Sequence, residues 1–157
     1  MLAALIIILV VACDQLTKIW ITTNFAMFQT QEVIPGLFNL TYLTNRGAAF
    51  GFLNGDHGSW RHAFFVGVAV LAMIMMVFLL RQMAKEGKRF VVAIALIFGG
   101  AVGNLIDRLR LGAVVDFLDV YWAEHHWPAF NVADSAITVG VGIFLIAHFL
   151  QFRRGTK

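Results

Sequence analysis

The residues able to do chemistry concentrate between Gly103-Asn104-Leu105-Ile106-Asp107-Arg108 and Asn131-Val132-Ala133-Asp134. This stretch holds five of the nine acidic residues: Asp107, Asp116, Asp119, Glu124 and Asp134. Apolar spans flank it on both sides, and carboxylates so close to hydrocarbon are costly enough to point to function. Asp116, in Val114-Val115-Asp116-Phe117, and Asp134, at the mouth of the last apolar span, form a candidate catalytic pair. Two aspartates in close contact cannot both ionise readily, so they share a proton at neutral pH. The charged member takes a proton from water as the water attacks a peptide carbonyl, and the protonated member assists the carbonyl oxygen.

Other hydrolytic chemistries fit the inventory poorly. There is no His-Glu-x-x-His, and His125-His126 are adjacent, so they cannot share a helix face as a zinc pair would. Ser59 lies near His57 and His62, but no motif supplies an orienting acid. Cys13 sits in an apolar run where a thiolate would be desolvated, and one cysteine makes neither an intrachain disulfide nor a cysteine cage. The aspartate pair needs no metal and no cofactor. Asp119 is the decoy: three residues from Asp116 in an extended strand, it points to the opposite face.

The elements that position these groups are membrane spans. The 157 residues are 60% hydrophobic and 13% charged, whereas soluble domains are about half apolar and a quarter charged. The expected spans are about 2–21, 63–80, 90–106 and 135–152 of a single unit covering 1–157. Of the basic residues, Arg81, Lys85, Lys88 and Arg89 form one cluster and Arg153, Arg154 and Lys157 another, which places the second loop and the C-terminus in the cytoplasm. Four spans then put both termini inside, and residues 22–61 and 107–134 on the outer side. The net charge of +3 is this topological signal, and no aromatic-basic interleaving suggests nucleic acid.

Asp14 and Lys18 are four apart on the first span and can pair, either anchoring the helix end with Lys18 snorkelling to the interface or supporting the site. Val10-Val11-Ala12-Cys13 looks like a lipobox, but no basic n-region precedes it. Leu37-Phe38-Asn39-Leu40-Thr41-Tyr42 alternates as a strand, with Phe38, Leu40 and Tyr42 on one face. Ala48 to Leu53 is too short to cross and reads as an interfacial segment or a loop hairpin, and Asn54-Gly55-Asp56-His57-Gly58 as a turn. Gly99 with Gly103, and Ala136 with Gly140, have the spacing that lets helices approach closely. Met73, Met75 and Met76 read as packing residues, and His148, near the cytoplasmic end, as structural. Asn104, Asp107 and Arg108 share a helix face, as a bundle cap or as part of the chemistry. Asn131 reads as the N-cap of the last helix, with Asp134 in its first turn. That leaves Asp116 without a comparable helper and makes it the proton carrier.

Spacing and topology alone leave three readings open: an aspartic protease, a proton-coupled carrier using the same carboxylates, and a structural polar cluster. Against the carrier, the carboxylates lie at one end of the spans, whereas transporter sites lie near the midplane.

Five motifs in order narrow the choice: Asp14-Gln15-Leu16-Thr17-Lys18, Asn45-Arg46-Gly47-Ala48-Ala49-Phe50, Gly103-Asn104-Leu105-Ile106-Asp107-Arg108, Val114-Val115-Asp116-Phe117 and Phe130-Asn131-Val132-Ala133-Asp134. Together they resemble the lipoprotein signal peptidases (signal peptidase II of bacteria) over essentially the whole chain. The resemblance implies a membrane all-α fold of four transmembrane helices, with a small extracytoplasmic β-sheet and a short interfacial helix. It implies an inner-membrane aspartyl endopeptidase, acting as a monomer among membrane lipid, that cuts prolipoproteins just before the diacylglyceryl-modified cysteine, near the outer face. It assigns Asp116 and Asp134 as the catalytic dyad. Asp14, Lys18, Asn45, Gly47, Asn104, Asp107, Arg108, Asn131 and Ala133 match supporting or substrate-binding positions. It also implies inhibition by the peptide antibiotic globomycin.

Overall fold

Hydrocarbon offers a backbone amide no partner, so a crossing span must satisfy its own backbone as a helix. The computed structural model, which describes residues 1–47 and 59–155, contains four such helices: α1 (Leu2–Asn24), α2 (Ser59–Met83), α3 (Lys88–Leu111) and α4 (Val132–Gly155). All four are long and apolar enough to cross a membrane. They outrun the expected bounds, because a helix continues through polar residues once these find partners. In α3 this matters most: Asp107 and Arg108 are helical, and the helix stops only at Gly112, whose φ of 71° is left-handed and whose N–H reaches the Arg108 carbonyl at 2.9 Å.

Burial on α1 is inverted relative to a soluble helix. Leu5, Ile8, Leu9, Leu16 and Ile19 are exposed on its surface, while Asp14, Lys18 and Ile21 are buried. Lys18 is only 3% exposed, so it does not snorkel; its partners lie inside the bundle. α1 also runs unbroken through Val10 to Cys13, and Cys13 is exposed on its surface.

α3 is the central helix and packs on α1, α2 and α4. Its buried positions include Ala93, Ala95, Gly99, Gly100 and Gly103, small residues of the kind that let membrane helices pack. A Cβ on Gly99 would lie 2.9 Å from Val10 Cβ, and one on Gly103 would lie 2.5 Å from Asp14 Oδ2. On α4, a Cβ on Gly140 would lie 2.7 Å from the Ala93 carbonyl oxygen. Both small-residue pairs thus mark close helix contacts.

The remaining described chain forms an antiparallel sheet in the order β1-β2-β3-β4: β1 (Thr30–Ile34), β2 (Phe38–Asn45), β3 (Val114–Trp122) and β4 (His125–His126). Pro35-Gly36 makes the β1–β2 turn, with Gly36 at φ 74° and Leu37 N–H donating to the Ile34 carbonyl at 3.1 Å. Leu40 and Tyr42 pack on a core of Ile21, Phe25, Val115 and Phe117, which seats the sheet on the end of α1. The opposite face of β2 is buried too: Asn39 donates to Asp119 Oδ2 at 2.9 Å, and Thr41 Oγ1 donates to the Gln29 carbonyl at 3.2 Å. The strand is therefore covered on both faces, not on the apolar one alone. The expected interfacial segment Ala48 to Leu53 and the turn Asn54 to Gly58 lie outside the described residues.

Candidate active site

The site forms where the C-terminal ends of α1 and α3 and the N-terminal end of α4 meet the first residues of β3 and the last of β2. Its base is a buried ion cluster. Lys18 Nζ lies 2.9 Å from Asp14 Oδ2, 2.8 Å from Asp107 Oδ2 and 3.1 Å from Asn104 Oδ1. An ammonium has three protons, and three acceptors surround this one. Gln15 Nε2 reaches Asp107 Oδ1 at 2.9 Å and the Gly103 carbonyl at 3.2 Å, which completes the seam between α1 and α3. Gln15 lies within the first motif but has no role in the sequence reading; its spacing of three from Lys18, on the same helix face, was the available signal.

This cluster orients the groups above it. Asp14 Oδ1 accepts the Ala133 N–H at 2.9 Å, and Asp107 Oδ2 accepts the Val115 N–H at 3.1 Å. One carboxylate thereby fixes the start of α4 and the other the start of β3. With its Oδ1 taken by Lys18, the Asn104 amide can turn only one way, and its Nδ2 donates to Asp134 Oδ1 at 2.8 Å. Ala133 is fully buried and sits where a larger side chain would meet α3.

Asn131 is the N-cap, as expected: its Oδ1 accepts the Asp134 N–H at 2.9 Å. Its Nδ2 donates to Asp116 Oδ1 at 2.8 Å and to the Val115 carbonyl at 3.1 Å. Asp116 therefore does have a helper, contrary to the expectation that it lacks one. A second comes from Asn45, which also hydrogen-bonds the Asp116 carboxylate. Even so, burial first, and then the neighbouring Asp134 charge, push the Asp116 carboxyl up to about 7.

Asn45 reaches Asp116 because of a bulge. Leu40 pairs with Leu118, but the register then slips, so Leu43 pairs with Asp116 and Asn45 with Val114. Without the extra residue, Asn45 would face the other side of the sheet, since a one-residue slip reverses every side chain. The Asn45 Oδ1 then accepts the Gly47 N–H at 2.9 Å, and the Gly47 carbonyl accepts from Arg108 Nη2 at 3.1 Å. Arg108 also lies 5.1 Å from the Phe65 ring centroid, which ties α2 to the site.

Every expected site residue thus lies in one connected network, and Asp119 lies outside it on Asn39 and His126. Asp116 and Asp134 line a cleft of about 1060 Å³ together with Asn45, Asn104 and Arg108. Trp127, Pro128, Ala129 and Phe130 form one wall, and the cleft continues along α4 past Ile137 and Val139.

Comparison with known proteins supplies the family. The family model for signal peptidase (SPase) II matches residues 6–150. The lipoprotein signal peptidase of Geobacter metallireducens is 49% identical over 92% of this chain and 88% of its own length. That of Geobacter sulfurreducens is 51% identical over 90% and 87%. Two solved structures of bacterial membrane enzymes, both by the in meso method, superpose with TM-scores of 0.87 and 0.80 at 38% and 39% identity. They cover 99% and 92% of this chain, and 91% and 90% of their own. The chain belongs to the signal peptidase II family of membrane peptidases.

Proposed function

We propose that this peptidase removes the signal peptide of prolipoproteins with Asp116 and Asp134 as its catalytic dyad, cutting just before the diacylglyceryl-modified cysteine. The observation that carries the dyad is the cleft: the buried Asp116 and the half-buried Asp134 both line it, Asp134 held by the Asn104 amide and Asp116 by Asn131 and Asn45. Between them the two carboxylates share one proton and hold the attacking water. Asp134 sits in the first turn of α4, where the helix N-terminus and the Asn104 amide solvate a negative charge. Asp116, raised to about 7, holds the proton at rest. The charged Asp134 then takes a proton from the attacking water, and Asp116 gives its proton to the carbonyl oxygen. Collapse of the tetrahedral intermediate needs a proton on the leaving amine, which the newly protonated Asp134 supplies, while the charged Asp116 takes a proton back from the intermediate's hydroxyl and returns to its resting form.

The path of the cleft along α4 past Val139, which is exposed on a membrane-spanning helix, suits a substrate whose lipid chains stay in the bilayer. We place both termini in the cytoplasm and the dyad at the outer face of the bacterial inner membrane, with one chain sufficient for activity. Globomycin, a peptide, would compete for the same cleft. Wild type, Asp116→Asn and Asp134→Asn, each purified and checked for folding, test the dyad on a diacylated prolipoprotein. Wild type cuts before the lipidated cysteine and both variants are inactive. Cleavage by either folded variant would make that carboxylate structural.

A further inference from the structure

Asp119 is a buried carboxylate that the mechanism does not use. Its Oδ2 accepts from Asn39 Nδ2 at 2.9 Å, and its two oxygens lie 2.9 and 3.0 Å from His126 Nδ1. The His126 ring stacks on Tyr121 with centroids 5.0 Å apart and planes 10° off parallel. The Tyr121 hydroxyl in turn donates to Glu32 Oε1 at 2.6 Å. One side-chain network thus joins all four strands.

His126 immediately precedes the cleft wall. That wall is clipped to β3 at its ends, by Trp127 N–H on the Val120 carbonyl at 2.8 Å and by Phe130 N–H on the Leu118 carbonyl at 3.0 Å. Between the clips lies Pro128, which has no N–H with which to pin itself. Neither Asp119 nor His126 lines the cleft, yet their pair fixes where the wall begins. We infer that Asp119 and His126 form a latch that positions Trp127–Phe130 as the substrate-binding wall, so that the pair governs the KM for prolipoprotein and leaves the dyad's turnover alone. The latch acts through the wall, which makes both positioning residues.

The inference rests on the peptidase reading, and kinetics on a diacylated prolipoprotein in micelles of fixed composition separate the two. His126→Phe keeps a ring on Tyr121 and removes the contact with Asp119. It should raise KM roughly 2- to 5-fold, as fits a contact whose histidine is half exposed, with kcat unchanged. His126→Asn keeps a donor near the Nδ1 position and should restore the wild-type KM. An unchanged KM in His126→Phe, a fall in kcat alone, or a His126→Asn variant as impaired as His126→Phe would each overturn the latch while leaving the peptidase intact. Should His126→Phe not fold, Asp119→Ala, which leaves His126 no acceptor, must raise KM in its place, and an unaltered KM there refutes the latch equally. Absence of cleavage by folded wild type would overturn the peptidase reading itself.

Discussion

Replacing Asp116 by asparagine should abolish cleavage and yet make the protein more stable, increasingly so as pH rises. The folded protein moves the Asp116 carboxyl from 3.8 to about 7, and an unfolded chain would return it to its ordinary value. A raised carboxylate binds its proton more tightly in the folded state, so its contribution to stability is fully present below the unfolded value. It is lost as pH climbs toward 7. A rise of roughly three pH units corresponds to about 4 kcal/mol, the most that ionising Asp116 inside the fold can cost. Asparagine keeps an oxygen for the Asn131 amide and never ionises. The variant should therefore melt near wild type at pH 4 and roughly 10 °C above it at pH 8, taking 2–4 °C per kcal/mol for a chain of this size. Circular dichroism of detergent-solubilised protein at both pH values, with cleavage measured on the same samples, makes the test. A variant equally or less stable than wild type at pH 8 would refute the claim that burial and the Asp134 charge strain Asp116.

Cleavage by wild type should fall as pH rises through about 7, since ionised Asp116 has no proton to give; a rate still climbing at pH 8 would put the proton elsewhere. Gly103→Ala sets a Cβ 2.5 Å from a fully buried carboxylate oxygen of Asp14, so it should destabilise by about 1–3 kcal/mol and lose cleavage. Gly142→Ala, with nothing within 4 Å of the new Cβ, should melt and cut as wild type does. Lys18→Met removes the cation shared by Asp14, Asp107 and Asn104 and should lower stability by about 3–5 kcal/mol in a denaturant titration. Asp119→Asn should keep most of its turnover at saturating substrate; a loss as complete as that of Asp116→Asn would identify the wrong aspartate.

The spans are legible because hydrocarbon imposes a length and a composition, and the residues that meet in the polar network because five motifs keep their order. Several features are not. β1 has all five residues exposed and so lacks the alternation that betrays a half-buried strand. β4 is two residues long and exists only through pairing with Tyr121 and Trp122. The third span is bounded at 106 because the charges of Asp107 and Arg108 do not belong in hydrocarbon, although their spacing from Asn104 marks a helix face; Lys18 and Gly47 satisfy them in the folded chain, and α3 runs on to Leu111. The fate of Lys18 follows the same logic. A lone lysine on a span would snorkel, but one with three acceptors around it gains more by staying inside.

The bulge in β2 was the feature least visible in sequence, and it decides the site. The sequence reads as a strand over Leu37–Tyr42 that breaks at Asn45-Arg46-Gly47, whereas β2 runs on to Asn45; simple alternation carried that far would put Asn45 on a face with Asn39, Thr41 and Leu43. Pairing assigns the two ends of the strand to different registers: Asn39 opposes Asp119, while Asn45 opposes Val114, two residues from Asp116. A regular strand would have left Asn45 off the Asp116 face, and Asp116 would have kept one asparagine helper rather than two. The slip also gives Asn39 and Asn45 separate partners: Asn39 holds Asp119 and Asn45 holds Asp116. One inserted residue thus lets a single strand serve both carboxylates of β3, although these two point to opposite faces of the sheet.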